Sequence, residues 1–339
     1  MGGRRESRDL PHGPVNRSPI VTLTMNPALD VTADADEVRP TEKVRCRAVR
    51  YDAGGGGINV ARFAGALGGD VVAVFAAGGS TGERLVDLVY ESRTPYTLVP
   101  LGGATRESFT VNDHAGDQQY RFVLPGPTLT SAECALCLDK LREAIPPAVA
   151  STCYVVASGS LPPGVPPDFY QSVADLCREV GARLILDTSV DALTHVTSGV
   201  YLLKPSVREL RECVGRPLDT QAEQLLAAHE LIDRGLTEAV VVSLGPHGAI
   251  LATATDSRHF PAIPVHAVSG VGAGDAMVAG IAVGLSRGWA LGDAVRYGIA
   301  AAAAKLLTPG TSVFAPADVD RFAELAADPC DDMSFSQIG

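Results

Sequence analysis

The stretch SGVGAGDAMVAG (269–280) sets a single carboxylate, Asp275, behind three glycines at the head of an apolar, alanine-rich run. The run reads as a helix, so Gly272, Ala273 and Gly274 present consecutive backbone N–H groups at its start, with Asp275 in the same space. Free amides at a helix N-terminus favour anions. A carboxylate beside them can take a proton from a hydroxyl. Phosphoryl transfer needs both parts: preorganised donors for the charge on the transferred group, and a base for the incoming alcohol. An Asp of ordinary pKa can serve there, because the hydroxyl becomes acidic as the P–O bond forms. Simple helix capping by Asp275 is the rival reading, and it does not exclude catalysis. No Gly-Lys-Ser/Thr follows, so this is not a Walker A loop; the final glycine of a dinucleotide fingerprint is also missing.

Further chemistry-bearing residues recur at element boundaries. Four consecutive glycines, Gly54 to Gly57, run into a second apolar helix in YDAGGGGINVARFAGALGG. Glycine lets a ligand touch the backbone, and four exceed what a tight turn needs. This start therefore reads as a second site for an oxygen-rich ligand, with the Asn59 amide one turn in. SGSLPPG (158–164) places Ser158 at the end of a buried strand, before a rigid Pro-Pro turn, where hydroxyls suit a sugar or a phosphate. Arg106 in ATRESFTVN, and Lys43 and Arg45 in TEKVRC, precede alternating strands. They form either a local phosphate clamp or the solvated charges that guard a sheet edge. In LLKPSVRELRECVG a strand ends at Lys204, and Ser206 with Glu209 makes a capping box. The functional reading has Glu209 orienting a hydrated Mg²⁺, with Lys204 and Arg208 near nucleotide phosphates. VVVSLGPHGA (240–249) would form a wall beside the nucleotide.

The elements that must position these residues follow from apolar patterning. From about residue 150, strands over 153–160, 183–189, 201–206 and 238–244 alternate with helices near 167–180 and over 220–235, 276–288 and 291–307. Continuous apolar strands between helices predict a parallel sheet covered on both faces. Segments 20–30 and 71–79 read as core strands of the same kind. Segments 43–52, 107–113 and 118–126 alternate apolar and polar residues instead, as half-exposed antiparallel strands do. The expected fold is one α/β domain with a small projecting β-sheet, binding its ligands beyond the carboxyl ends of the strands.

Composition narrows the partners. Among 339 residues, 39 Asp and Glu against 28 Lys and Arg leave a net charge of −11. That argues against nucleic acid or an anionic membrane as partner. The seven cysteines are dispersed, and the Cys134–Cys137 pair lies in a helical pattern with no second pair at zinc spacing. Ordinary core or surface thiols, not metal ligands, are expected, and the usage suits a reducing cytosol. Residues 1–18 and 328–339 read as tails, without the apolar core of a signal peptide and without a transmembrane run. A dehydrogenase reading fails for want of a strand–GxGxxG–helix unit.

From about residue 19 to 327 the chain resembles the PfkB (ribokinase-like) carbohydrate kinases, through GGGGINVAR near one end and GVGAGDAMVAG near the other. TMNPALD, TRESFTVN, QYRFVLPGP and SGSLPPG resemble its 6-phosphofructokinase branch, which phosphorylates fructose 6-phosphate at the 1-hydroxyl in glycolysis. The alternatives within this class are a 1-phosphofructokinase or a tagatose-6-phosphate kinase, which typically carry a lysine where Gly56 stands. The resemblance implies a ribokinase-like three-layer α/β/α fold with a mostly parallel sheet and a β-sheet lid from about 30–52 and 104–124. It implies Asp275 as base and Gly272, Ala273 and Gly274 as anion hole. Asp30, Gly55, Gly56 and Asn59 would hold sugar hydroxyls; Lys43, Arg45, Arg106 and Ser158 would receive the sugar's phosphate. Lys204, Arg208, Ser243, Gly245 and Gly248 would line the ATP site, with adenine between segments 267–271 and 300–310. Mg²⁺ at Glu209, a monovalent cation such as K⁺ near Thr308–Ser312, and a homodimer joined through the lids are further implications. Ser206 replaces the asparagine of the family's magnesium motif, and Ala276 replaces its Ser or Thr. A non-catalytic sugar-phosphate sensor is the alternative of another class, but it would have no need of Asp275.

Overall fold

The computed structural model describes residues 17–147 and 152–329. Strands in chain order are β1 (Ile20–Thr24), β2 (Ala28–Ala35), β3 (Arg47–Gly54), β4 (Val71–Ala77), β5 (Tyr96–Pro100), β6 (Arg106–Asp113), β7 (Gln118–Val123), β8 (Tyr154–Ser158), β9 (Arg183–Asp187), β10 (Val200–Leu203), β11 (Thr237–Ser243), β12 (Ala249–Thr253) and β13 (Ser257–Phe260). Helices are α1 (Gly56–Ala66), α2 (Gly79–Glu91), α3 (Ser131–Ala144), α4 (Phe169–Val180), α5 (Val190–Leu193), α6 (Val207–Val214), α7 (Gln221–Asp233), α8 (Ala273–Ser286), α9 (Leu291–Leu306) and α10 (Pro316–Leu325).

The large sheet runs β13-β12-β11-β10-β9-β8-β1-β4-β5. It is parallel from β11 to β5, with β12 and β13 added antiparallel at one edge. Successive strand residues feed opposite cores, as a sheet covered on both faces requires. Ile20 and Phe75 pack with α1, α8 and α9, whereas Val21 and Val74 pack with α3, α4 and α7. The ribokinase-like three-layer fold is therefore present. The alanine and glycine of the last two long helices have a packing reason: a Cβ on Gly280 would stand 2.7 Å from the Gly298 Cα. α8 and α9 thus lie backbone to backbone, which fixes where α8 aims its first turn.

The second sheet, β3-β2-β6-β7, is the lid. Two differences from the sequence reading have clear causes. The core strand expected over 20–30 stops at Thr24; Pro27, which has no N–H to give a ladder, separates it from β2, which belongs to the lid. The lid is also not wholly antiparallel, since β2 and β6 pair in parallel between two antiparallel pairs. A sequence pattern of period two gives face, not direction. Arg17 donates to the Gly68 carbonyl and the Ser18 amide to Ser286 at 2.9 Å, so the body begins two residues before the expected start. Otherwise the two expected tails lie mostly outside the described residues. Cys134 and Cys137 are buried in α3, and burial pushes the Cys137 thiol up to about 12, where it is inert. Among the described residues no group of three or more acidic, histidine or cysteine side chains is placed to hold a metal. No helix among them is long and apolar enough to cross a membrane.

Candidate active site

Two helix N-termini meet at one point. Gly272, in left-handed backbone (φ 78), caps α8, and Asp275 falls in the first turn without making any capping hydrogen bond. Instead its carboxylate accepts from the Asn59 side-chain amide in the first turn of α1, at 2.9 Å. The rival capping reading of Asp275 therefore does not describe its side chain. Solvent still reaches part of Asp275, but burial pushes its pKa from 3.8 to about 7, with Asp187 adding to the rise. Asn59 and Lys204 oppose it. A carboxyl poised there changes protonation near neutral pH, as a general base does.

Each glycine of the 54–57 run has its own steric reason. A Cβ on Gly54 would strike the Asp30 carboxylate, and one on Gly56 the Ser158 hydroxyl. One on Gly57 would stand 2.6 Å from the Leu23 carbonyl. Gly55 holds φ 121, a region closed to other residues. These glycines bring α1 against the carboxyl ends of β1 and β8 and seat Asp30 and Ser158 at its start. The Gly159 carbonyl, held by Tyr170 and Thr188 hydroxyls at 2.7 and 2.9 Å, fixes the turn after Ser158.

On the opposite side of Asp275 lies a buried ion pair, Lys204 Nζ to Asp187 at 3.1 Å. The Lys204 ammonium is 3.8 Å from where a Cβ on Gly274 would stand, so it faces the anion turn directly. Burial works against its charge, but Asp187, Glu209 and Asp275 together hold it charged, with its pKa raised. Ser206 and Glu209 form the expected capping box, Glu209 accepting from the Ser206 amide and hydroxyl at 2.8 Å each.

The lid offers the site its polar face. Register places Asp30, Asp52, Ser108 and, beside them, Arg121 on one side of the sheet. Asp30 is pushed up from 3.8 to about 6 by burial, against the pull of Arg121 and Arg106. The Arg106 guanidinium is held by the Asn26, Leu124 and Pro27 carbonyls at 3.0, 3.2 and 3.4 Å, and burial lowers its pKa.

The structure does not bring every expected residue to this cluster. Lys43 and Arg45 are exposed in the loop before Arg47, at the end of β3 away from Gly54. Seven residues of strand put that end roughly 23 Å from the glycines. Arg208 is exposed and 4.0 Å from Glu212. Ser243, Gly245 and Gly248 line the β11–β12 turn; Gly248 is required there because a Cβ would collide with the Phe260 carbonyl. Segments 267–271 and 300–310 do meet, through Val268 and Ser269 amides on the Leu306 carbonyl at 2.7 and 3.3 Å. Sequence reasoning missed Asp187, Arg121 and the buried Lys305. Asp187 ends the strand RLILD and obeys the strand-end rule; Lys305 is a lone charge in an alanine run; nothing marked Arg121.

The sequence profile described as pfkB family carbohydrate kinase matches residues 17–318. The ATP-dependent 6-phosphofructokinase isozyme 2 of Mycobacterium tuberculosis is 63% identical over 310 residues, 91% of this chain and 90% of that protein. The crystal structure of phosphofructokinase-2 from Escherichia coli in complex with potassium superposes with TM-score 0.85 at 36% identity, covering 91% of this chain and 99% of that one. The same enzyme in complex with fructose-6-phosphate gives TM-score 0.83 at 35% identity, with the same coverage. These matches run along nearly the whole length of the chain, and with the fold they place it: this protein belongs to the pfkB family of carbohydrate kinases, transferring a phosphoryl group to a sugar-phosphate hydroxyl.

Proposed function

We propose that the chain transfers the γ-phosphoryl group of ATP to the 1-hydroxyl of fructose 6-phosphate, giving fructose 1,6-bisphosphate for glycolysis. The observation that carries this reading is the Asp275 carboxyl, poised near neutrality between the starts of α1 and α8 with Lys204 alongside. Asp275 takes the proton of the attacking hydroxyl. The first amides of α8, at Gly272–Gly274, and the Lys204 ammonium hold the charge of the phosphoryl group in flight. Asp30, Asn59, Gly55 and Gly56 hold the sugar, and Ser158 with Arg106 takes its phosphate, a role the remote Lys43 and Arg45 do not share within one chain. Arg208, Ser243, Gly245 and Gly248 form the ATP side. Glu209 would hold a hydrated Mg²⁺, an ion that keeps several of its waters when bound. Glu209 fits that mode, because its second carboxylate oxygen makes no hydrogen bond among the described residues. Bound there, Mg²⁺ neutralises phosphate charge. The oxygens near Thr308 do not suit a potassium ion, because a lysine ammonium is already among them.

ADP release measured across fructose 6-phosphate, fructose 1-phosphate, tagatose 6-phosphate and unphosphorylated sugars tests the assignment. The highest kcat/KM belongs to fructose 6-phosphate; a higher value for any other sugar overturns it. Arg106→Ala raises KM for the sugar phosphate at least about tenfold with kcat moved far less, the pattern of lost binding. An unchanged KM would reduce Arg106 to a brace for the carbonyls it holds.

The lid also supports a homodimer. Its other face gathers Val49, Tyr51, Phe109 and Phe122, which are 53%, 45%, 36% and 56% exposed. An apolar face of that kind marks an interaction surface, and a second copy of the same lid complements it. Phe122→Lys turns the dimer into a monomer by light scattering at micromolar concentration; a variant that stays dimeric places the interface elsewhere.

A further inference from the structure

Lys305, in the last turn of α9, has no exposed surface, and the transfer chemistry above does not use it. Its Cε lies 3.4 Å from where a Cβ on Gly272 would stand, so the stem backs the anion turn. Its ammonium donates to the Thr308 hydroxyl at 2.8 Å and the Thr308 carbonyl at 3.3 Å. That hydroxyl also lies 3.0 Å from the Lys305 carbonyl and 3.1 Å from the Ser312 carbonyl. A Cβ on Gly310 would run into the Arg50 guanidinium of lid strand β3. One short loop, 308–312, therefore joins the end of α9, the anion turn and the lid.

The surroundings of this ammonium are unusual for a buried charge. Buried charges are ordinarily paired with an opposite charge, yet Lys305 makes no ion pair among the described residues; its contacts are uncharged oxygens. Asp52 and Asp275 favour its charge from a distance, while Arg50 and Arg62 oppose it, and burial brings its pKa down to about 8. It is still charged at neutral pH. Neutral carbonyl and hydroxyl oxygens are what a partly dehydrated monovalent cation takes as ligands.

We propose that the Lys305 ammonium is a built-in monovalent cation, tethered to α9, that orders the 308–312 loop and the Gly272 turn without potassium. Lys305 is thus a positioning residue, acting through Gly272. The E. coli relative was crystallised in complex with potassium; this chain carries its cation covalently.

The test compares rates and melting temperatures in potassium chloride with those in tetramethylammonium chloride, whose cation is too large for the site. Wild type gives the same rate within about twofold and the same Tm in both salts. Lys305→Ala empties the place. It loses at least about tenfold in rate in tetramethylammonium, recovers most of it in potassium, and gains at least about 2 °C in Tm there, because an ion that binds only the folded state stabilises it. Lys305→Gln keeps the volume without the charge, so it is slow in both salts. Wild type activated more than about threefold by potassium, Lys305→Ala indifferent to potassium, or Lys305→Gln at full rate would each overturn the proposal. The rate comparison rests on the kinase reading above, whereas the melting comparison does not. A chain inactive on every sugar would therefore fail that reading and leave this one to be decided by Tm.

Discussion

Asp275→Asn lowers kcat by about three orders of magnitude, within the range that loss of a general base produces, while the Kd for the sugar phosphate stays within about threefold. Asparagine keeps the shape and can still accept the Asn59 hydrogen bond, so only the base is removed. In the wild type, kcat/KM falls on the acid side of about pH 7, where Asp275 of the free enzyme gains its proton. The variant has no such limb. Stability moves the opposite way. The folded carboxyl titrates near 7 rather than 3.8, so protons favour the native state. That contribution is full below about pH 4 and is lost as pH rises through 7. At pH 8 the wild type therefore bears an ionised, partly buried carboxylate that asparagine does not. Discounted for the solvent that reaches it, the gain from Asp275→Asn is about 1–2 kcal/mol, or about 2–4 °C in Tm. It shrinks toward acid pH. A variant that turns over normally, or that melts lower than wild type at pH 8, contradicts this assignment.

Lys204→Met has the second largest expected effect, and it combines two losses. Removing the ammonium strips the transferred group of a charge facing Gly274, which lowers kcat by at least about a hundredfold. It also leaves Asp187 buried without its partner, 3.1 Å away in the wild type, at a cost of roughly 3 kcal/mol. The double variant Lys204→Met/Asp187→Asn separates them: denaturant unfolding recovers most of the stability, and kcat stays low. If turnover returned with stability, Lys204 would serve only to neutralise Asp187.

Much of this arrangement was legible in the chain. The alternation of apolar strands and amphipathic helices gave the layered sheet, because burial on both faces leaves a continuous apolar run. The capping box at Ser206 and Glu209 was readable because it is local, three residues apart. The direction of lid pairing was not, since period two is the same for parallel and antiparallel neighbours; nor was the break before β2 at Pro27 recognised, though its cause is local.

By itself the sequence determined which groups could do chemistry: Asp275 behind its glycines, the 54–57 run, Ser158 and Lys204, all at strand or helix ends where local geometry exposes them. Only the tertiary structure decided what they do to one another. Asn59 and Asp275 are 216 residues apart in the chain and 2.9 Å apart in space, and that proximity, with burial, moves the carboxyl toward neutrality. The same folding pairs Lys204 with Asp187, sends Lys43 and Arg45 to the far end of the lid, and buries Lys305 behind the anion turn. Residue type and spacing specify a side chain's chemistry and local backbone; desolvation and charge–charge distance belong to the packed chain.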